Sequence, residues 1–396
     1  MLKSKLLTIV ATVLTVCLTL TAFGCKNSSV KNNGDGFFTS VKISQVNSSA
    51  QNTPSIDANP SKKVEISLLS GEIYKVCSDY ELYITDEYNA ENTDVFAPTP
   101  LEISWTSKDA PLYYILDVST NEDMTRSKSY VTFNSSVTLE HLFMGYDYYY
   151  QIQAKFDDRI VKSKIFKFST AYLPRTVFID EKVSNTRDWG GYVCKNGTQR
   201  VKQGIVYRGG KIEDITPKGK DVMLNVLGIK TDLDTRGDGT AGTSISPLGN
   251  TVNYIETTGP YYLGQHGIDR VGEYRDALIT EIKAFAKPEN FPIYVHCTLG
   301  RDRTGTICFL INALLGVSDI DLFRDYEISM MSKSGRLDSQ TAINMVGSSF
   351  REMYNYVRYY KNNATLSESV EAFMLDIGIS SNEIESIKNN MLEEIK

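Results

Sequence analysis

Val295-His296-Cys297-Thr298-Leu299-Gly300-Arg301-Asp302-Arg303-Thr304-Gly305 lies between two apolar runs and decides how the chain reads. Phe291 to Val295 before it reads as a buried strand, and Ile307 to Leu315 after it as a buried helix. Strand, tight loop and helix N-terminus together make a phosphate site. Free backbone N–H groups point inward there and the helix dipole favours an anion.

Each residue type in the loop has a chemical reason. Cys297, among N–H donors and cations, is placed to act as a thiolate nucleophile on phosphorus. Arg303 offers a planar fork of donors that matches two phosphate oxygens and favours transition-state charge. Thr298, Leu299, Gly300 and Arg301 form the binding loop between them, and Gly300 lets the backbone turn. Thr304 brings a hydroxyl that can hydrogen-bond the sulfur in a second step. His296 orients the loop through hydrogen bonds. Cys308, inside the following apolar helix, reads as packing alone.

The loop resembles that of the cysteine-dependent phosphatases with a Cys-x5-Arg signature. More narrowly it is similar to the secreted bacterial tyrosine/phosphoinositide phosphatases, whose loop reads His-Cys-x-x-Gly-Lys-Asp-Arg-Thr-Gly. Arg301 stands here where that branch has lysine. Asn185-Thr186-Arg187-Asp188-Trp189-Gly190-Gly191-Tyr192 resembles the branch's Asn-Phe-Arg-Asp-Leu-Gly-Gly-Tyr opening, and Tyr207-Arg208-Gly209-Gly210 its Tyr-Arg-Ser-Gly. Leu227 to Arg236 resembles its Leu-Gly-Ile-x-Thr-Val-Ile-Asp-Leu-Arg strand, with the polar Asp232 as the main departure. Asp325-Tyr326-Glu327-Ile328-Ser329 looks like its Asp-Tyr-x-x-Ser segment. The resemblance implies hydrolysis of phosphate monoesters through a phospho-cysteine, without a cofactor, on phosphotyrosine protein or on phosphoinositides.

A leaving oxygen needs a proton, and aspartate is the usual donor. The resembled branch assigns that role to the loop aspartate, here Asp302; other Cys-x5-Arg enzymes take it from an upstream loop, where Asp269 is the candidate. Asp302 can instead be structural. The Arg187–Asp188 pair either closes a turn or supports the phosphate loop, and Arg236 either faces the anion or the surface.

Lys3 and Lys5 precede an apolar run from Leu6 to Phe23, then Gly24 and Cys25, a signal-peptide layout. Thr21-Ala22-Phe23-Gly24-Cys25 resembles a bacterial lipobox, which implies acylation of Cys25, a membrane-anchored lipoprotein and an extracytoplasmic enzyme. Residues 25–62, rich in Asn and Ser, read as a flexible tether. A net charge of −6 argues against nonspecific nucleic-acid binding. The 3 histidines have no metal-ligand spacing, so no metal centre is expected. Among the 6 cysteines no disulfide framework is readable, although a Cys77–Cys194 bridge stays open.

Residues 63–172 carry short alternating runs: Leu101 to Trp105, Tyr113 to Val118, and Tyr148, Tyr150, Ile152, Ala154. They predict an all-β sandwich, loosely similar to a fibronectin type III module, serving as spacer or docking domain. Residues 173–396 predict an α/β domain with a helical C-terminal half, like that of the tyrosine phosphatases. Its helices start at Pro217, Asp269, Asp319, Ser339, Ser367 and Ser381, the last running to about Ile395. An inositol polyphosphate phosphatase and a catalytically silent phosphate-binding surface module remain the other readings.

Overall fold

The computed structural model describes residues 36–45, 56–57, 64–78, 80, 98–237, 245–259, 269–332, 341, 344 and 346–395. The expected signal segment 1–24, Cys25 and most of the expected tether lie outside the described residues. Part of that tether is ordered as strand: Phe38–Gln45, whose Lys42 and Ile43 pair antiparallel with Asp57 and Ile56. The cause is a short apolar alternation, Val41 and Ile43 buried with Lys42 exposed between them.

The described residues divide into two compact units that interleave along the sequence, one drawn from 36–41, 104–137 and 149–166, the other from those within 42–103, 138–148 and 167–395. Leu69, Ile73 and Cys77 form one apolar cluster with Leu173, Ile328 and Met331, which ties the helix Gly71–Ser78 into the larger unit.

In the smaller unit, Tyr113–Ser119 pairs antiparallel with Lys128–Thr132 on one side and with residues 149–155 on the other. Ile160–Lys162 pairs with residues 153–155. Trp105 packs edge-on against Tyr114, and Tyr150 stacks on Phe166. Tyr150, Ile152 and Ala154 are buried, so these alternating positions serve the core.

The larger unit is built on a five-stranded sheet ordered Arg187–Asp188, Val206–Gly209, Ile293–His296, Thr231–Asp234, Asn253–Glu256. The last four are parallel, in a register that aligns Gly209, His296, Asp234 and Glu256 at one edge. Carboxyl ends of parallel strands are where α/β proteins leave a crevice. The strand Ile293–His296 is buried along its whole length, as a central parallel strand must be. The helix Asp302–Leu314 follows it, and every residue from Arg303 to Leu314 is buried. Its apolar residues form the main core with those of the helices Leu366–Ile377 and Ser381–Met391, each opened by a capping box.

Thr216 caps Pro217–Asp221 and Ser318 caps Asp319–Glu327, as their sequences predict. The last helix ends at Met391, short of Ile395. Leu392–Glu394 becomes a strand against Gln199–Val201, where Glu393 pairs with Arg200 at 2.7 Å. Cross-strand pairing competes successfully there with helix propensity.

Candidate active site

Cys297 leaves the end of its strand and is 5% exposed. The backbone then turns back through Gly300 at φ +68°, where an added Cβ would lie 2.2 Å from the Gly209 carbonyl oxygen. Only glycine fits that approach. Three successive carbonyls of the loop are bound from outside. The Lys211 N–H donates to Thr298 O at 3.2 Å. Asn185 Nδ2 donates to Leu299 O and Gly300 O at 2.9 and 3.0 Å, and Arg208 Nη2 to Gly300 O at 2.9 Å. A trans peptide points its N–H opposite its carbonyl. The N–H groups of Leu299, Gly300 and Arg301 therefore turn the other way, toward the inside of the loop, as an anion-binding nest requires.

The donors that hold the loop are themselves fixed. Asn185 is buried at φ +59°, a left-handed backbone that asparagine tolerates better than most residues. Arg187 donates from Nη1 to Asn185 Oδ1, from Nε to Asp325 Oδ1 at 2.8 Å, and from Nη2 to Ser329 Oγ at 2.8 Å. Arg208 pairs with the other oxygen of Asp325. Burial alone would raise the Asp325 pKa, but the two guanidiniums outweigh it and hold the carboxyl below its usual range. Asp188 pairs with Arg175 and accepts from the Gly190 and Gly204 N–H groups. The Arg187–Asp188 pair thus supports the loop and closes a turn at once.

On the opposite flank, His296 Nε2 lies 2.9 Å from Asp232 Oδ1, both side chains fully buried. Asp232 Oδ2 accepts from Ser246 Oγ at 2.6 Å. Burial disfavours the charged imidazole, yet the Asp232 carboxylate prevails and lifts the His296 pKa to about 9. Arg236 is buried between Asp234 and Glu213, which resolves its two readings in favour of neither. Its carbonyl accepts from Arg303 Nη1 at 3.2 Å, which orients the guanidinium of the loop arginine. Near Arg303 lies Glu281, buried, accepting from Thr257 Oγ1 at 2.6 Å. Desolvation pushes its pKa up to about 8.

Asp302 opens the helix with both oxygens engaged by Arg301, Nε at 2.8 Å and Nη2 at 3.2 Å. Arg301 is itself 8% exposed. Thr304 Oγ1 is buried and makes no hydrogen bond among the described residues. Asp269 begins the helix Asp269–Ala284, but its side chain lies outside the described residues. Cys77 and Cys194 are both free and buried, so the open Cys77–Cys194 bridge is not formed. Cys308 is buried in the core, and burial pushes its thiol up to about 12, which fits an inert packing role.

Sequence reasoning placed the loop but missed its supports. Asp232 was visible as a charge in an apolar strand without a partner to explain it. Asp325 stood in a recognised segment without a role. Glu281 shares a helix face with Leu278 and Ile282, both buried, and an acid on such a face was the available signal.

The pattern of the tyrosine phosphatase family matches residues 180–393. A Cupriavidus necator protein named as a tyrosine-protein phosphatase is 27% identical over 168 residues, 37% of this chain. The chain spans 60% of the length of that relative. Among solved structures, the core catalytic domain of the PP-IP phosphatase SIW14 from S. cerevisiae, in complex with citrate, is similar at 18% identity and a TM-score of 0.23. The match covers 42% of this chain and 94% of that one.

Proposed function

The chain belongs to the tyrosine phosphatase family, and we propose that it hydrolyses phosphate monoesters through a phospho-cysteine on Cys297. The observation that carries this reading is the loop itself, with the carbonyls of Thr298, Leu299 and Gly300 bound from outside between Cys297 and Arg303. Inward amides and the Arg303 fork bind three phosphate oxygens, and the sulfur faces phosphorus opposite the leaving oxygen. The thiolate attacks, the P–O bond breaks, and Asp302 gives the leaving oxygen its proton. Water then attacks phosphorus, Asp302 takes back a proton, and the P–S bond breaks with Thr304 donating to the sulfur. For this, Asp302 must leave Arg301, and a phosphate that draws Arg301 away supplies the exchange. Asp269 is the competing acid. The true acid's Asn variant loses the alkaline-side limb of the pH–rate profile, so Asp302→Asn and Asp269→Asn decide between them.

Phosphotyrosine protein is the substrate class we favour. Arg187, Arg208 and Arg236 all carry carboxylate partners, so their charge is already compensated. That suits one phosphate better than several. Phosphoinositides or inositol phosphates would use Arg301 for a neighbouring phosphate. On that reading Arg301→Ala lowers their turnover more than that of p-nitrophenyl phosphate. Full-length wild type and Cys297→Ser are to be compared on a phosphotyrosine peptide, a phosphoinositide and an inositol polyphosphate without metal. Release by wild type alone supports the reading. Release by neither from any substrate favours the silent phosphate-binding module. The all-β spacer or docking role of residues 63–172 and the acylation of Cys25 belong to the same proposal. Full membrane partition of Cys25→Ala would remove the anchor from it.

A further inference from the structure

Asp232 is the one charged residue that breaks the apolar strand pattern of the resembled motif, and the fold gives it a single address. Its Oδ1 is 2.9 Å from His296 Nε2, and its Oδ2 accepts from Ser246 Oγ at 2.6 Å. Neither Asp232 nor His296 is exposed at all. His296 immediately precedes Cys297, and its Nδ1 lies 3.4 Å from the Cys297 carbonyl oxygen. Nε2 thus faces the Asp232 carboxylate and Nδ1 the Cys297 carbonyl, and only the doubly protonated ring presents an N–H toward both acceptors.

We infer that Asp232 is a positioning residue for the proposed reaction, holding His296 as a buried imidazolium at the root of the phosphate loop so that a fixed positive charge stands beside the Cys297 thiolate. The inference rests on the phosphatase reading for its purpose, though not for its geometry. The groups facing His296 are Asp232 and Asp234 from the neighbouring strand, Arg236 just beyond them, the Tyr294 ring at 5.6 Å and Cys297. Asp234 is committed to Arg236 through both oxygens, which leaves Asp232 as the carboxylate that serves the imidazole. Its carboxylate outweighs burial, consistent with the raised titration of the ring.

Two readouts that need no turnover test it. The first is nitrogen-detected NMR of the His296 ring across pH in the full wild-type chain, the resonance identified by its loss in His296→Gln. The ring is expected to stay an imidazolium through neutral pH and to titrate at about 9; a neutral ring at neutral pH overturns the inference without any Asp232 variant. The second is the rate at which iodoacetamide labels the Cys297 peptide, read by mass spectrometry. In Asp232→Asn the His296 titration is expected below 6.5, its ordinary value, with labelling below neutral pH slowed about tenfold, one pKa unit's worth. Asp232→Glu should restore both in part. A neutral His296 in Asp232→Asn with labelling unchanged also overturns it, because the charge would then do nothing for the cysteine. If wild type behaves as expected in both but releases no phosphate from any substrate, the pair stands and the phosphatase reading fails.

Discussion

Asp325 and Asp232 sit on opposite flanks of the same loop, both buried carboxylates, and they act in different ways. Asp325 divides its two oxygens between Arg187 and Arg208, and Arg208 together with Asn185 binds the outward carbonyls. It makes shape. Asp232 divides its oxygens between Ser246 and His296 and touches no loop carbonyl. It makes charge. The difference separates two demands on a phosphate loop: the amides have to be aimed, and the nucleophile has to be kept ionised. On the proposed reaction each falls to its own buried acid.

The comparison can be broken at its strongest point first. Asp325→Ala strands two buried guanidiniums, and removing one partner of a buried ion pair costs about 3–5 kcal/mol. Denaturant unfolding should show a loss of that size, with activity abolished. A loss under ~1 kcal/mol would mean that Asp325 does not carry the cradle. Asn185→Ala comes next. It removes both side-chain bonds to Leu299 O and Gly300 O and puts alanine at positive φ. About 1–3 kcal/mol of stability and at least a tenfold loss of kcat are expected. Equal kcat in variant and wild type would detach loop shape from catalysis.

The flanks should also fail at opposite ends of the pH scale. Asp325 has its folded pKa held below the ordinary 3.8, so its contribution is present above 3.8 and is lost as pH falls through the lower, folded value. His296 has its folded pKa raised from 6.5 to about 9, so its contribution is full below 6.5 and is lost as pH rises through about 9. Unfolding free energy measured against pH should fall at both ends, and Asp232→Asn should remove the His296 share of the alkaline fall while leaving the acid one. The smallest effect belongs to Glu281. Burial raises its pKa from 4.5 to about 8, so the native state holds the proton longer and stability declines as pH rises between those values. Glu281→Gln should be within about 0.5 kcal/mol of wild type at the acid end and should flatten that decline. A large loss at every pH would show an ionised Glu281 paired to Arg303 instead.

The loop was legible because its chemistry is contiguous. Cys297 to Thr304 specifies thiol, guanidinium fork and turn within one strand–loop–helix segment, and the structure places strand and helix on either side. Helix starts with a capping residue were legible for the same local reason. Asp325, Asn185 and Asp232 become intelligible only when a helix, a loop and a strand far apart in sequence meet at one end of the sheet. No periodicity reports that Arg187 will meet Asp325, 138 positions away. The C-terminal strand Leu392–Glu394 was missed likewise, since its partner Gln199–Val201 lies almost the whole domain earlier.

The most direct test of the account is a rapid-quench experiment on the full chain with a phosphotyrosine peptide, followed by mass spectrometry of the Cys297 peptide. The account predicts a transient phosphoryl group on Cys297 in wild type, and in Cys297→Ser neither that adduct nor phosphate release. Phosphate release by Cys297→Ser at the wild-type rate, or turnover by wild type with no phosphoryl group ever on Cys297, would contradict it.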